Sequence, residues 1–384
     1  MNFNLNSEQQ LLQDSVRRFI EKAYSFEART ALLKAGAIRG AAHWQTFADN
    51  GWLAAALPEA AGGLGGTLID TVLIAHEFGR GLVVEPYLGC AVLAAQTLVA
   101  AATPAQLDVL LPPLAEGSRK LALAYSEARS SGFAEPVQSH AQACADGYTL
   151  HGHKTLVAGG LDADRFIVSA IASDAPGITL FLVDAASPGL TRRALPLHDG
   201  SWAAELSFDG VPVSRNAVLG VPGQGLAALQ QGLAHGTAAL CAELVGGMEK
   251  AIEITAEYLK MRKQFGVPIA SFQVLQHRMA DMAAELEVAR SMLYALLASI
   301  DNDDVATRQH TVSQAKTLIG RAAKFVCSQA IQLHGGIGMT EEYAVGHYYK
   351  RAVVADVLLG SSDRHEAVCA AQLKKTLLQG ASAA

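Results

Sequence analysis

The sequence predicts an α+β fold in which a helical region, a β region and a second helical region follow one another along 384 residues. Three observations predict it: the apolar period changes twice, turn dipeptides recur through the middle of the chain, and apolar residues over 279–300 have a heptad-like spacing. Helices repeat their apolar residues every three to four positions, whereas short apolar runs between turns are typical of strands. We therefore predict an N-terminal helical domain over 1–117, a middle antiparallel β domain over 118–222, and a C-terminal helical domain of the four-helix-bundle type over 223–384.

The first region has the marks of amphipathic helices. Ser7, followed by Gln10 three residues later, resembles a capping box, in which side chains at a helix start satisfy the free backbone N–H groups. The apolar residues that follow on one helical face are Leu12, Val16, Phe19 and Ala23. This periodicity predicts a helix near the N-terminus, and Pro112-Pro113 with Glu116-Gly117 punctuate the end of the region.

The middle region is marked by short apolar runs, which read KLALAY, GYTLHG, RFIVSAI, ITLFLV and AAELSF. Turn residues such as Asp146-Gly147 and Asp209-Gly210 separate the runs. Runs and turns at this spacing predict a compact antiparallel β domain of about a hundred residues.

The third region is helical again. Its clearest segment alternates apolar steps of three and four, at Met279, Met282, Leu286, Ala289, Leu293, Leu296 and Ile300. This is the seam of a helix packed along its length against other helices, and we assign it to an internal bundle core rather than to a subunit contact. Further helices are predicted from about Gly225 to Arg262 and from Thr311 to Leu333, with a solvated loop at 301–304.

Composition and charge exclude several classes of function. The formal net charge is −6 and lysines and arginines do not cluster, so we expect no nucleic-acid partner. The longest apolar stretch, near 88–102, is too short to span a bilayer, and the N-terminus lacks the pattern of a signal peptide. The five cysteines lack CxxC spacing and are expected to be reduced thiols. These features predict a cytoplasmic globular protein without membrane segments.

Metal binding is not predicted either. His151 and His153 fall on one face of a predicted strand, but no Asp, Glu or Cys nearby completes a ligand set.

Two motifs after the β region suit a phosphate-containing ligand. The first reads RKQFG from Arg262 to Gly266, and an arginine offers a planar fork of donors that matches a pyrophosphate. The second reads QLHGGIG from Gln332 to Gly338, where the absence of Cβ atoms lets backbone approach a ligand closely. A capped helix end would explain either motif alone. The occurrence of both motifs after the β region is more specific evidence for a phosphate-containing ligand than either motif alone.

These motifs, with LNSEQQLLQDSVRRFI near the N-terminus and PEAAGGLGG at 58–66, resemble the FAD-dependent acyl-CoA dehydrogenases over the whole chain. Within that family the chain is most similar to the small, or second, subunits of heteromeric bacterial enzymes, such as the pimeloyl-CoA dehydrogenase small subunit. The resemblance implies a tetramer, FAD at a subunit interface, an acyl-CoA substrate and electron-transfer flavoprotein as acceptor. In the expected reaction a carboxylate removes the α-proton while a β-hydride passes to the flavin, which gives a 2-enoyl-CoA.

The resemblance also assigns cofactor contacts to individual positions. Those that match the diphosphate and adenosine half of FAD are Arg262, Gln264, Phe265, Phe272 and Gln273. A second FAD-contacting loop supplies Gln332, Gly335 and Gly336. On the flavin side the matching positions are Tyr125 and Ser126, on the strand that meets the flavin ring, and Ser361, where a threonine usually follows the catalytic Glu-Gly.

The chain departs from the family at the catalytic positions. Leu359 stands where the catalytic glutamate is commonly found, and Gly236 stands at the alternative position on the helix after the β domain. Neither side chain can accept a proton, and the neighbouring His235 is a weak substitute. The flavin strand continues as ARSSG at 128–132 instead of the usual Pro, Gly-Ser and Asp. The usual Trp-Ile-Thr/Ser is replaced at 156–158 by LVA, which removes an aromatic ring and a hydroxyl partner for the flavin.

Three hypotheses follow from this pattern. The first is a base-lacking subunit of a heteromeric acyl-CoA dehydrogenase, in which a partner subunit carries the catalytic glutamate. The second is a self-sufficient homomeric enzyme with an unusual base, for which His235 is the candidate. The third is a flavin-free structural or regulatory homologue. We favour the first, because positions on the adenosine side are kept whereas positions on the flavin side and the base are lost. A bulky or ω-substituted acyl-CoA is the expected substrate class.

Overall fold

The protein is described here by a computed structural model over residues 5–34, 42–300 and 304–382. Residues 301–303 of the predicted solvated loop lie outside these ranges. The chain forms two compact units. One consists of Met1–Arg29, Val72–Val83 and Thr237–Ala384, and the other of Thr30–Thr71 and Val84–Gly236. The predicted domain boundaries at 117 and 222 stay a prediction.

The order of elements along the chain is helical, β and helical, so the predicted fold class is confirmed. The α-helices of the described residues are α1 (Ser7–Ala23), α2 (Phe26–Lys34), α3 (Trp44–Asp49), α4 (Leu68–Gly81), α5 (Ala95–Ala101), α6 (Pro104–Ala115), α7 (Leu226–Met261), α8 (Gln273–Ser299), α9 (Val305–His334), α10 (Val345–Val357) and α11 (Ser362–Ser382). The β-strands are β1 (Leu121–Ala124), β2 (His140–Cys144), β3 (Gly147–Ala158), β4 (Arg165–Ala172), β5 (Ile178–Asp184), β6 (Leu190–Pro196), β7 (Trp202–Ser214), β8 (Val218–Leu219), β9 (Lys263–Gln264) and β10 (Val267–Pro268).

The sheet of the middle region has the strand order β6-β7-β3-β2-β4-β5-β8, with β1 beside β4. Most neighbours are antiparallel as predicted, but β1 and β2 each pair with β4 in parallel. The hairpin of β2 and β3 lies between β1 and β4 in the chain, and it supplies the crossover that a parallel pair needs. The apolar core of the sheet includes Leu150, Phe166, Phe181 and Val211, all fully buried. This core holds β1 and β3, the strands that lead into the predicted flavin-side residues.

Two strands that the sequence did not predict, β2 and β6, are mostly exposed. β6 has no buried residue and β2 buries only Ala141. A strand of this kind carries little apolar pattern, so period-based reasoning passes over it. Its pairing partner, and not its own composition, fixes its conformation.

A π-helix at Tyr87–Ala94 was also not predicted. It packs closely on the end of β3, because a Cβ at Gly89 would lie 2.4 Å from the carbonyl oxygen of Ala158. π-Helices are rare and are frequently found at functional sites. This one supports the strand segment at 156–158, where the resemblance places the flavin-side tripeptide.

The predicted helices of the third region are confirmed, although α9 begins at Val305 rather than near Thr311. The seam of α8 buries Met282, Leu286, Ala289, Leu293 and Leu296. The predicted capping box near the N-terminus is displaced by one residue. Asn6 and not Ser7 caps α1: its side chain accepts from the Gln9 N–H at 2.8 Å, and the Gln9 side chain accepts from the Asn6 N–H at 3.1 Å. Asparagine is as good an N-cap as serine, and here it lies one residue earlier.

No helix among the described residues is both long and apolar enough to cross a membrane. The five cysteines are free thiols, and Cys90, Cys241 and Cys327 are buried. His151 stacks on His140 of the neighbouring strand at a ring distance of 5.4 Å and accepts the Gly210 N–H. Within the described ranges, no group of three or more His, Cys, Asp or Glu side chains could hold a metal ion.

A buried charge cluster connects four helices of the first unit. Glu77 of α4, only 1% exposed, accepts from Arg17 of α1 at 2.7 Å. His76 lies between Glu77 and Glu249 of α7, at 3.4 and 3.2 Å from their carboxylates. Arg290 of α8 also pairs with Glu249. Burial alone would raise the carboxylate pKa values, but the hydrogen bonds and charges of these partners lower the pKa of Glu77 and of Glu249 to about 2.

Because of this cluster, folding stability falls both when the pH rises and His76 loses its proton, and when the pH falls and the two carboxylates gain one. Burial alone would lower the pKa of His76, but Glu249 and Glu77 outweigh it and the pKa is raised from 6.5. The stabilisation from His76 is therefore present below pH 6.5 and is lost as the pH rises through the higher folded-state pKa. The two carboxylates stabilise above pH 4.5, and their contribution is lost as the pH falls towards 2.

The wild-type protein should lose unfolding free energy as the pH rises from about 6 to about 8, and we therefore expect His76→Asn to lose less over the same range. Denaturant unfolding at the two pH values measures the effect, and His277→Asn, at an exposed histidine of α8, is the matched control. An equal loss of stability in wild type, His76→Asn and His277→Asn would contradict the assignment to His76.

Candidate functional site

The first predicted motif forms a small hairpin at the end of α7. β9 and β10 are joined by Phe265 and Gly266, whose φ angles are 55° and 84°. A two-residue turn with both residues left-handed suits glycine and asparagine, and phenylalanine there is strained. The Phe265 side chain is nevertheless 92% exposed, so packing within the described chain does not account for the choice of residue.

Other predicted adenosine-side residues are also directed away from the chain. Among the described residues, no hydrogen-bond partner is found for the side chains of Arg262, Gln264, Gln273 and Gln332. All four of these residues are exposed. Phe272, half-buried at the start of α8, meets Phe265 edge-on with ring centroids 6.2 Å apart.

The second predicted motif ends α9. Gly335 has φ 62° and closes the helix, which only glycine does without strain. A Cβ at Gly335 or Gly336 would meet no atom within 4 Å, so the open side of this loop is bounded by no other part of the described chain. The guanidinium of Arg262, the side-chain amides of the three glutamines and the open backbone of Gly335 and Gly336 together fit the diphosphate and adenosine half of FAD.

The predicted flavin strand is closed instead. Tyr125 and Ser126 are both buried. The Tyr125 hydroxyl donates to the Gly132 carbonyl at 3.2 Å, and the Ser126 hydroxyl accepts from the Gly132 N–H at 3.2 Å. These two bonds hold Gly132 against Tyr125 and Ser126, so the segment 126–132 turns back to the end of β1. The side chains of this chain therefore do not fit the flavin ring in the way the family pattern implies.

A buried ion pair that the sequence did not reveal supports this strand. The Lys154 ammonium, fully buried on β3, donates to Glu127 at 2.7 Å, to Ser169 at 3.1 Å and to the Tyr125 carbonyl at 3.3 Å. Burial lowers the pKa of Lys154 to about 8, although Glu127 opposes the shift. The carboxylate also accepts from the Ser139 N–H and hydroxyl, at 3.0 and 2.7 Å. The pair fixes the end of β1 and leaves neither charge available to a ligand.

Leu359 lies in a strained turn between α10 and α11. Its φ is 59° and its side chain is only 7% exposed. The Leu359 carbonyl accepts from His365 Nε2 at 2.8 Å. Lys316 Nζ donates to the carbonyls of Gly360, Ala355 and Asp356 at 2.8, 3.0 and 3.1 Å. Hydrogen bonds to Lys316 and His365 therefore hold the turn, which carries a leucine at the position where the resemblance predicts the catalytic base.

Lys316 and His365 were missed by sequence reasoning. Burial lowers the pKa of Lys316 to about 8 and that of His365 to about 4. His365 is therefore neutral at pH 7, and its second nitrogen lies 3.0 Å from the Ser313 hydroxyl. Both of its nitrogens are engaged, so it does not replace the missing base. The available signal was a lysine on the apolar face of α9, next to Ala315 and Ile319.

The remaining predicted positions lie on helices. Ser361 caps α11: its hydroxyl accepts from the Arg364 N–H at 3.3 Å. Gly236 is buried and His235 half-buried on α7. The next carboxylate along this helix, Glu243, accepts two hydrogen bonds from Arg351 at 2.5 and 2.9 Å. A carboxylate paired in this way is a poor general base.

Five of the described non-glycine residues have left-handed φ angles, and all but Leu82 lie in segments that the resemblance singles out, Ser131 with 47° among them. Leu156, Phe265 and Leu359 have φ angles of 52°, 55° and 59°. Left-handed non-glycine residues cost on the order of 1 to 3 kcal/mol each and cluster at active sites and ligand clamps.

A cavity of about 810 Å³ in the second unit contains none of the predicted site residues. It lies at the start of β1, beside Arg119, Lys120 and Asp164. Arg119 and Asp164 pair with each other at 2.9 Å, so these opposite charges satisfy each other.

Comparison with known proteins decides the family. The descriptions of the acyl-CoA dehydrogenase N-terminal, middle and C-terminal domains match residues 6–118, 122–211 and 223–374. The chain belongs to the acyl-CoA dehydrogenase family. A probable acyl-CoA dehydrogenase of Bacillus subtilis, YngJ, is 31% identical over 388 residues, which cover 98% of this chain and 100% of the relative.

Two solved structures share the fold of this acyl-CoA dehydrogenase homologue. The ChsE4–ChsE5 complex from Mycobacterium tuberculosis superposes with a TM-score of 0.86 at 26% identity, over 97% of this chain and 99% of that chain. The FAD complex of PigA superposes with a TM-score of 0.87 at 26% identity, again over 97% and 99%. The predicted family is thereby confirmed, oxidoreductase activity is the activity of that family, and FAD is the cofactor that the comparisons indicate.

Proposed function

We propose that this chain is the base-lacking subunit of a heteromeric acyl-CoA dehydrogenase, which converts an acyl-CoA thioester to the 2-enoyl-CoA. One observation carries the proposal. The polar residues matched to the adenosine half of FAD are exposed, and no hydrogen bond to their side chains is found within the described chain. On the flavin strand, by contrast, Tyr125 and Ser126 are buried and both bond to Gly132. FAD supplies the hydride acceptor when it is bound. This chain supplies Arg262 and the Gly335–Gly336 loop to its diphosphate and adenosine half.

The surface around the adenosine-side residues suits a partner subunit. Apolar side chains at the ends of α7 and α9 are exposed, namely Met261, Phe265, Val267, Ile337 and Met339. Large exposed apolar side chains next to a ligand site are typical of protein interfaces. A partner subunit that covers them would also bring its own flavin-side strand to the nucleotide.

The base positions support the same assignment. Leu359 and Gly236 cannot accept a proton, and Lys316 and His365 at the Leu359 turn are engaged with backbone carbonyls. The carboxylate of Asp356, which precedes the turn, is occupied by the Ser362 N–H at 3.1 Å and by Lys324 at 3.0 Å. We therefore assign the catalytic glutamate to the partner subunit. The ChsE4–ChsE5 complex is a relative that pairs two different chains, which is consistent with this division of labour.

The proposal extends to the assembly and its partners. We propose a heterotetramer that acts in the cytoplasm, transfers electrons to electron-transfer flavoprotein, and takes a bulky or ω-substituted acyl-CoA. The free cysteines agree with a reducing compartment. Each of these assignments rests on the resemblance together with the division of the site.

Turnover of an acyl-CoA test series by the chain alone and by the chain co-purified with the proposed glutamate-bearing partner subunit tests the proposal. We expect no turnover by the chain alone, turnover by the pair, and unchanged turnover when His235→Ala is introduced into the pair. Turnover by the chain alone that His235→Ala abolishes would favour the self-sufficient enzyme with His235 as base. Turnover by the chain alone that survives this change would contradict both readings.

A further inference from the structure

The two predicted FAD motifs are 70 residues apart in sequence, yet one aromatic cluster connects them. Tyr258 lies on α7, one turn before Arg262, and its ring stacks on His334 with centroids 4.4 Å apart and an interplanar angle of 26°. Tyr343 packs against both rings, at 6.3 Å from Tyr258 and 5.0 Å from His334. His334 directly precedes Gly335, so the cluster touches the base of both motifs.

Hydrogen bonds run through the same residues. The Tyr258 hydroxyl donates to the carbonyl of His334 at 3.2 Å, one of the free carbonyls at the end of α9. The Arg262 N–H donates to the carbonyl of Tyr258 at 2.8 Å. The Ile269 N–H donates in turn to the carbonyl of Arg262 at 2.8 Å and closes the base of the hairpin. A continuous path therefore joins the glycine loop to the hairpin.

The histidine is built into this cluster and not merely adjacent to it. His334 is 3% exposed, and its Nδ1 lies 2.8 Å from the carbonyl of Ala330. Because a carbonyl can only accept, Nδ1 carries the proton. Burial lowers the pKa of His334, so the ring is neutral and Nε2, which has no partner in the described chain, keeps a lone pair. The stacked ring of Tyr258 packs against this neutral ring and holds it in place.

We infer that Tyr258 is a positioning residue that sets the Gly335–Gly336 loop and the Arg262 hairpin in the relative placement needed to hold the adenosine half of FAD. The inference rests on the proposed function, because it takes the two motifs as a single nucleotide site. It assigns no contact with FAD to Tyr258 itself. The ring fixes the distance between the helix ends, and the hydroxyl fixes the direction of the last turn of α9.

The test compares FAD with flavin mononucleotide, which lacks the adenosine half, as ligands of the apo-assembly. Affinities are measured by fluorescence titration. For Tyr258→Phe we expect FAD affinity to fall about threefold, and for Tyr258→Leu about tenfold. Affinity for flavin mononucleotide should stay unchanged in both variants. Tyr343→Phe is the matched control: it makes the same chemical change next to the same histidine, at a hydroxyl for which no bond is found among the described residues, and it should leave both affinities unchanged.

The outcomes separate the inference from the proposed function. A wild-type assembly that binds the two flavins equally well would contradict an adenosine-side role for this chain, and the inference would fail with it. If the wild-type assembly prefers FAD and both Tyr258 variants keep that preference undiminished, the inference alone would be overturned. An equal fall for both flavins would also overturn it, because it would mean a general loss of structure. Thermal melting of Tyr258→Phe, the milder variant, shows whether the fold is intact.

Discussion

In the assembled protein, Arg262→Ala should weaken FAD binding by about ten- to a hundredfold. The Arg262 guanidinium is exposed at the end of α7, and no side-chain hydrogen bond to it is found in the described chain, so its loss costs nothing in folding. A charged hydrogen bond is worth about 1.5 to 3 kcal/mol, which corresponds to the expected fall in affinity. Equilibrium titration of the apo-assembly with FAD measures it.

The neighbouring lysine provides the control for this prediction. Lys263 is exposed, carries the same charge and stands on the same hairpin. Lys263→Ala should change FAD affinity less than about threefold, because a general positive charge near the site is largely screened. Arg262→Lys should recover only part of the affinity, since an ammonium cannot form the two parallel bonds of a guanidinium. Equal losses for Arg262→Ala and Lys263→Ala would refute a specific diphosphate contact.

Elements with a strong local pattern could be predicted from the sequence. The α8 seam was predicted because its buried residues repeat at a spacing that only a packed helix needs. The buried strands β1, β3, β4, β5 and β7 were predicted because each is an apolar run between turns. β2 and β6 were missed because neighbouring strands, and not their own side chains, make them strands. The π-helix at Tyr87–Ala94 reads as an ordinary apolar helix, and its close packing at Gly89 shows only in the structure.

The candidate site likewise contains residues that could be predicted from the sequence and residues that could not. Arg262, Gly335 and Gly336 could be selected from sequence because their residue types suit a phosphate-containing ligand. Lys154 and Lys316 could not be assigned partners, since Glu127 is 27 residues and Gly360 is 44 residues away in the chain. The left-handed backbone of Leu359 is equally hidden, because leucine gives no sign of a positive φ.

The strained turns and the contacts of the predicted site residues support the proposed division of the site between two subunits. Leu359 occupies the place of a base in a turn that Lys316 and His365 hold rigidly. Tyr125 and Ser126 close the flavin strand, while Phe265 extends into solvent on the hairpin. This difference between the two sets of predicted FAD contacts supports the proposal that a second subunit completes the cofactor site.

Bound FAD per protein chain, determined from the absorbance spectrum after gel filtration, tests this claim most directly. The chain should be purified alone and together with the proposed glutamate-bearing partner subunit, each in the presence of excess FAD. We predict no stoichiometric FAD on the chain alone and one FAD for each partner subunit in the assembly. FAD bound stoichiometrically to the chain alone, or absent from every assembly, would contradict a site divided between two subunits.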